Sequence, residues 1–247
     1  MQKLTQAFIF CAGRGERMRP LTDTIPKPLV KINQKALLDY TIEKINKIPS
    51  IQKIIVNGYY LSEQIADHLT KLNNPKIIFS AENEKFETGG ALVYAKNLID
   101  LNQPLLLANG DVLWRENGIS DIDLLIENYD KNNHGMLLGL KKFADYHGVE
   151  KRKNGKSGDF DLLANKALYR HENNDMSHCF VGLQIINPQI INQAPSQSFS
   201  ISHYFFNNIQ KDQLLKNIQG IELRGDYYHI GTVESIAKTE KLLENNF

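Results

Sequence analysis

Residues 8–29 read FIFCAGRGERMRPLTDTIPKPL, which places two glycines, three arginines and a lysine directly behind an apolar run. Gly13 and Gly15 leave backbone N–H groups open to close approach, and unpaired backbone donors form a nest for anions. Arg17 and Lys27 would close around a phosphate from the side, while Pro20, Pro26 and Pro28 stiffen the segment that carries them. Stiffness beside cations is what a preorganised triphosphate cradle needs.

Two commoner phosphate loops do not fit. A dinucleotide fingerprint needs a third glycine where Met18 stands, and the three prolines forbid a continuous helix after it. Gly155-Lys156-Ser157 imitates the end of a Walker loop, but the leading position is Glu150 and no apolar strand precedes it, so this is a solvated basic loop.

The elements that must position the loop follow from periodicity. Residues 7–11, 53–57, 76–80 and 105–109 are short apolar or β-branched runs that read as strands. Helical patterns occupy 37–48, 61–72 and 90–99, so strands and helices alternate. Such alternation calls for a mainly parallel sheet covered on both faces, with the site at the carboxyl ends of its strands.

The second half is less regular. Helix is expected at 121–129 and 202–218, strand at 135–140, 179–186 and 227–230, and a polar excursion at 144–178. Thr232 caps a last helix, with Glu234 near its positive end. With 247 residues and no linker-like or repetitive stretch, one domain is expected over 1–247.

Composition narrows the classes. A net charge of +1 argues against nucleic-acid binding, so any nucleotide is held by local charge. Cys11 and Cys179 lack zinc-type spacing and are expected as buried, reduced thiols. No apolar stretch approaches a membrane span, and the N-terminal run is shorter than a signal-peptide core, so a cytoplasmic protein is expected.

The string A-G-R-G-E-R-M-R-P-L-T-x-x-x-P-K-P-L at residues 12–29 resembles the signature of the sugar-1-phosphate nucleotidyltransferases, with Arg17 and Lys27 in the family's basic positions. Further matches are the segment from Glu82 to Gly90, the segment from Leu107 to Val112, Gly158-Asp159-Phe160, Phe180-Val181-Gly182 and His229-Ile230-Gly231-Thr232; the stretch 144–178 matches only in patches. Together "GERMRPLT", "ETGG", "GDF" and "GTxE" look most like N-acetylmuramate-1-phosphate uridylyltransferases. Mannose-1-phosphate guanylyltransferases share the first motif but commonly show G-T-A-G in place of E-T-G-G, and remain the alternative. A non-catalytic nucleotide-sugar-binding protein of the same fold is a third reading.

The resemblance implies a Rossmann-like, GT-A-like α/β fold with a mixed, mainly parallel sheet flanked by helices. A nucleotide part would span about 1–112 and a sugar-phosphate part about 113–247. It implies Arg17, Lys27 and Asp111 as catalytic residues. Ala12, Gly13, Arg14, Gly15, Glu82, Gly89 and Asn109 would contact the nucleotide, with Ala12, Gly13, Glu82 and Gly89 at the base. Asp159, Glu172 and Gly182 are implied on the sugar-phosphate side. His147, His171 and His178 read as solvated loop histidines, although with Tyr146 they could line that pocket.

Mg²⁺, or Mn²⁺, is expected on Asp111, with His229 as second ligand where most relatives carry aspartate. Imidazole is softer than carboxylate and suits Mg²⁺ less well. The expected partners are a nucleoside triphosphate and a sugar 1-phosphate, with no nucleic acid or membrane, and a monomer or weak homo-oligomer as the working form.

Overall fold

In the computed structural model, residues 4–170, 173–193, 198–201 and 217–244 are described. The chain runs from β1 (Gln6–Phe10) through the hairpin β2 (Lys31–Ile32) and β3 (Lys35–Ala36) into α1 (Leu37–Asn46). It continues through β4 (Lys53–Gly58), α2 (Ser62–Leu72), β5 (Ile77–Ala81), α3 (Glu87–Tyr94), β6 (Leu105–Asn109) and β7 (Val112–Arg115). After α4 (Asp121–Asn128) come β8 (Met136–Lys142), β9 (Tyr146–His147), β10 (Asp161–Leu162), β11 (Leu168–Tyr169) and β12 (His178–Ile186). The last described elements are β13 (Ile218–Glu222), β14 (Asp226–His229) and α5 (Val233–Glu244).

Seven strands form one sheet in the order β13-β8-β12-β6-β1-β4-β5. β4, β5 and β6 run parallel to β1, and β13 runs parallel to β8; β12 is antiparallel to both neighbours. The sheet is therefore mixed and mainly parallel, as expected. Phe8 and Ile9 point to opposite faces and both have no solvent exposure, which is why β1 is apolar throughout rather than alternating. On the Ile9 face pack α1, α2 and α4 through Leu38, Ile42, Ile65 and Leu125; on the Phe8 face packs α3 through Ala91 and Leu92.

β1 is followed by neighbours on both sides, β4 on one and β6 on the other, so a crevice opens beyond its carboxyl end. A second sheet has the order β7-β14-β9, and its first strand follows β6 after two residues. β7 was not anticipated: the strand was expected to end at residue 109, and only Gly110 and Asp111 separate β6 from β7.

Other expectations are corrected at their ends. The third helix starts at Glu87 rather than residue 90 and gives way to a 3-10 turn at Lys96–Leu98. Of the helix expected at 202–218, residues 202–216 lie outside the described residues and Ile218 begins β13. Both cysteines are buried and unpaired, as expected. No helix among the described residues is long and apolar enough to cross a membrane.

Candidate active site

The arginine-rich segment is not a helix but three 3-10 turns, Glu16–Met18, Leu21–Asp23 and Lys27–Leu29, separated where the prolines interrupt. Gly15 has φ 63°, and a Cβ there would stand 3.0 Å from the Lys27 Cβ and 3.1 Å from the Thr22 Cγ2. Glycine both tolerates that backbone and lets the Lys27 stem pass beside it. Thr22, fully buried, donates its hydroxyl to the Gly15 carbonyl at 2.8 Å.

Behind the loop lies a cavity of about 290 Å³ whose lining includes Ala12, Gly13, Gly15, Lys27, Asn109 and Asp111. Six of the residues singled out from sequence thus share one cavity. Lys27 Nζ donates to Asp111 Oδ2 at 2.6 Å. Burial pushes the Asp111 carboxyl up, but the Lys27 ammonium, its hydrogen bond and the His229 ring outweigh that and hold it below its ordinary value. The carboxylate is therefore charged across the neutral range. Cys11 also lines the cavity, but burial pushes its thiol well up, so it is no thiolate nucleophile.

His229, at the end of β14, lies beside this pair. Its Nε2 is 3.4 Å from an Arg17 guanidinium nitrogen, and Arg17 is also 3.4 Å from Glu150 Oε2. Burial, then Lys27 and Arg17, push the imidazole below its ordinary pKa, with Asp111 and Glu150 opposing. The ring is neutral and accepts from Arg17. Asp226 instead pairs with Arg115 at 2.6 Å.

The other implied residues divide. Arg14 is exposed, its guanidinium 6.0 Å from the Tyr60 ring centroid. Glu82 is buried, 7% exposed, and is not part of the cavity wall. The Gly89 N–H donates to the Phe199 carbonyl at 2.8 Å, so in this conformation it is already engaged. Gly182 has φ 83°, and a Cβ there would stand 2.6 Å from Asn109 Nδ2, so Gly182, within the break in β12 register, lies against the end of β6. Asp159 accepts from the Phe180 N–H at 3.0 Å and burial raises its carboxyl. Glu172 and His171 lie outside the described residues.

One of the loop-histidine readings is corrected: His178 is 7% exposed at the start of β12 rather than in a solvated loop. Tyr146 is 9% exposed and packs edge-on to His229. His147 is exposed and stacks on Tyr228. Lys85, Glu87 and Thr88, from the matched segment between Glu82 and Gly90, also line the cavity; the sequence reading missed Thr22 and Asn57, of which Asn57 lines it. Asn57 carried a signal: a polar residue directly behind the apolar run at residues 54–56.

Among the described residues, no group of three His, Cys, Asp or Glu side chains is arranged to hold a metal. Asp111 alone still fits a hard divalent cation, because Mg²⁺ commonly binds one or two carboxylates and completes its shell with water and substrate phosphates.

Residues 6–147 match the sequence model of the nucleotidyl transferase family, and the chain belongs to that family. It is therefore an enzyme of nucleotidyl transfer. It is 29% identical to N-acetylmuramate alpha-1-phosphate uridylyltransferase of Caulobacter vibrioides, over 79% of this chain and 80% of that one. The protein of the same name from Neisseria meningitidis serogroup B is also 29% identical, over 96% and 97%. The bifunctional protein GlmU of Methanocaldococcus jannaschii is 31% identical over 67% of this chain, which spans only 40% of that longer relative. Among solved structures, a UDP-glucose pyrophosphorylase complexed with UDP-glucose superposes with TM-score 0.77 at 16% identity, over 99% and 100% of the two chains.

Proposed function

We propose that this enzyme joins UTP to N-acetylmuramate 1-phosphate, releasing pyrophosphate and giving UDP-N-acetylmuramate. The observation that carries the chemistry is the Lys27–Asp111 pair in the cavity behind the glycine loop. Two relatives named for this activity, matched over 79% and 96% of the chain, support the choice of substrates. The E-T-G-G form at Glu87–Gly90 supports it independently.

A phosphate monoester is an anionic nucleophile at neutral pH, so the reaction needs no general base. Its barrier lies in bringing two polyanions together and in the charge that builds at the α-phosphorus. In this reading the Gly13 and Gly15 amides take the β- and γ-phosphates. Arg17 leaves Glu150 and His229 to join them. Lys27 turns from Asp111 toward the point where the α-phosphate meets the incoming sugar phosphate, and Asp159 and Gly182 border the sugar.

Asp111 would hold Mg²⁺, whose charge neutralises the α-phosphate. His229 can serve as a second ligand only after Arg17 has moved off its Nε2. A cytoplasmic setting supplies the triphosphate.

The test is pyrophosphate release from four nucleoside triphosphates against several sugar 1-phosphates. The fastest release is expected from UTP with N-acetylmuramate 1-phosphate. Release confined to GTP with mannose 1-phosphate would make the enzyme a guanylyltransferase instead.

A further inference from the structure

The β1–β4 ladder ends at the pair Ile9–Val56, and β1 then peels away into the glycine loop. The N–H of Cys11, just past that point, donates to the Asn57 side-chain oxygen at 2.7 Å instead of to a backbone carbonyl. Asn57 is 2% exposed, and its amide nitrogen donates to Glu82 Oε1 at 2.6 Å. Glu82 is itself anchored, its N–H bonded to the Gly58 carbonyl at 2.8 Å. Burial pushes the Glu82 carboxyl up, with the Asn57 amide and the Phe86 N–H opposing.

We propose that Glu82 and Asn57 are positioning residues that hold the Cys11 amide, and through it the Ala12–Gly15 backbone, in the shape that receives the triphosphate. This deepens the reading under Proposed function and rests on it. A peptide N–H only donates, so Asn57 must present its oxygen to Cys11; a carboxylate only accepts, so the amide nitrogen must face Glu82. One side chain makes both bonds, and losing Glu82 removes what keeps the amide from turning over. Between its ends the loop is open: apart from its chain neighbours, no described residue comes within 4 Å of where a Gly13 Cβ would be. Its far end is held by Thr22 on Gly15, and its near end by Asn57 on Cys11. The resemblance in sequence implies a different role for Glu82, contact with the base, yet the carboxylate is buried behind Asn57.

The two roles separate on a ligand that has no base. Dissociation constants would be measured by calorimetry for the four nucleoside triphosphates and for inorganic tripolyphosphate. The proteins compared are the parent, Glu82→Ala, Glu82→Gln, Asn57→Asp and the double variant Asn57→Asp/Glu82→Gln, each with its melting temperature. Glu82→Ala and Asn57→Asp should each weaken all five ligands about tenfold, the cost of one orphaned buried hydrogen bond, without reordering the bases. Glu82→Gln keeps an acceptor for Asn57 and should bind like the parent. The double variant exchanges donor and acceptor across the same contact and should recover most of what Asn57→Asp loses.

A Glu82→Ala protein that binds tripolyphosphate normally, whether or not its base ranking changes, overturns the proposal. So does a double variant as weak as Asn57→Asp, or a loss of melting temperature with unchanged affinity. A parent protein that binds none of the five ligands would instead defeat the functional reading itself.

Discussion

Lys27 and Asp111, 84 residues apart in sequence, form a 2.6 Å ion pair in the cavity behind the glycine loop. In the proposed reaction each would be the other's stand-in for a substrate charge, the ammonium standing where a metal would bind and the carboxylate where a phosphate would. Lys27→Ala should therefore lower turnover by about a hundredfold or more while changing UTP affinity far less, because the lysine's full effect is realised only in the transition state. The same change removes the strongest influence holding the Asp111 carboxyl down, so the acidic limb of the residual activity should move to higher pH than in the parent. Rapid-quench turnover and equilibrium UTP binding, each across pH, check both statements.

His229 gives a second pH handle. Burial and its cationic neighbours lower its pKa, so it stays neutral as pH falls through its ordinary value of about 6.5 and protonates only below that. Relative to the unfolded chain it binds fewer protons in that interval. Its contribution to stability is thus complete above about 6.5 and is lost as pH falls through the lowered folded value. His229→Asp should retain activity with Mg²⁺ and flatten the acidic limb of the rate profile. An unchanged profile would show that the ring takes no part in the pH response.

The central strands were legible because burial on both faces makes the middle of each an apolar run, as at residues 105–108. The glycine loop was legible because its chemistry is local: glycines, cations and prolines sit within one short stretch. What escaped was long-range. Asn57 matters only because Cys11 lies beside it across the sheet, 46 residues away. The covering of Gly89 by Phe199 joins residues 110 positions apart, and no periodicity announces it. β7 escaped for a different reason: the polar Asn109, Gly110 and Asp111 mark the end of a strand, and the four residues after them are too few to announce another.

Asp121 ties α4 to the strand that carries His229. Fully buried, it accepts from the Arg224 N–H at 2.9 Å, the Gly225 N–H at 3.0 Å and the Tyr227 hydroxyl at 2.9 Å. Asp121→Ala orphans all three donors and should cost about 2–4 kcal/mol, since each lost partner leaves a group dehydrated without compensation. Urea denaturation measures this directly; a loss below about 0.5 kcal/mol, the range of ordinary surface substitutions, would contradict the anchor.

Gly15→Ala should damage both binding and turnover. The substitution imposes a left-handed conformation on alanine, at about 1 kcal/mol, and sets a methyl 3.0 Å from the Lys27 Cβ. Steady-state kinetics should show KM for UTP raised and kcat lowered together. Gly13→Ala meets open space and should change both less.

The proposed exchange of partners by Lys27 and Asp111 can be seen in a crystal structure with Mg²⁺ and a non-hydrolysable UTP analogue. Lys27 Nζ should leave Asp111 for the α-phosphate, and an Asp111 oxygen should coordinate the ion at roughly 2.0–2.1 Å. A complex with the analogue seated in the loop, the 2.6 Å pair intact and the ion held elsewhere would contradict it.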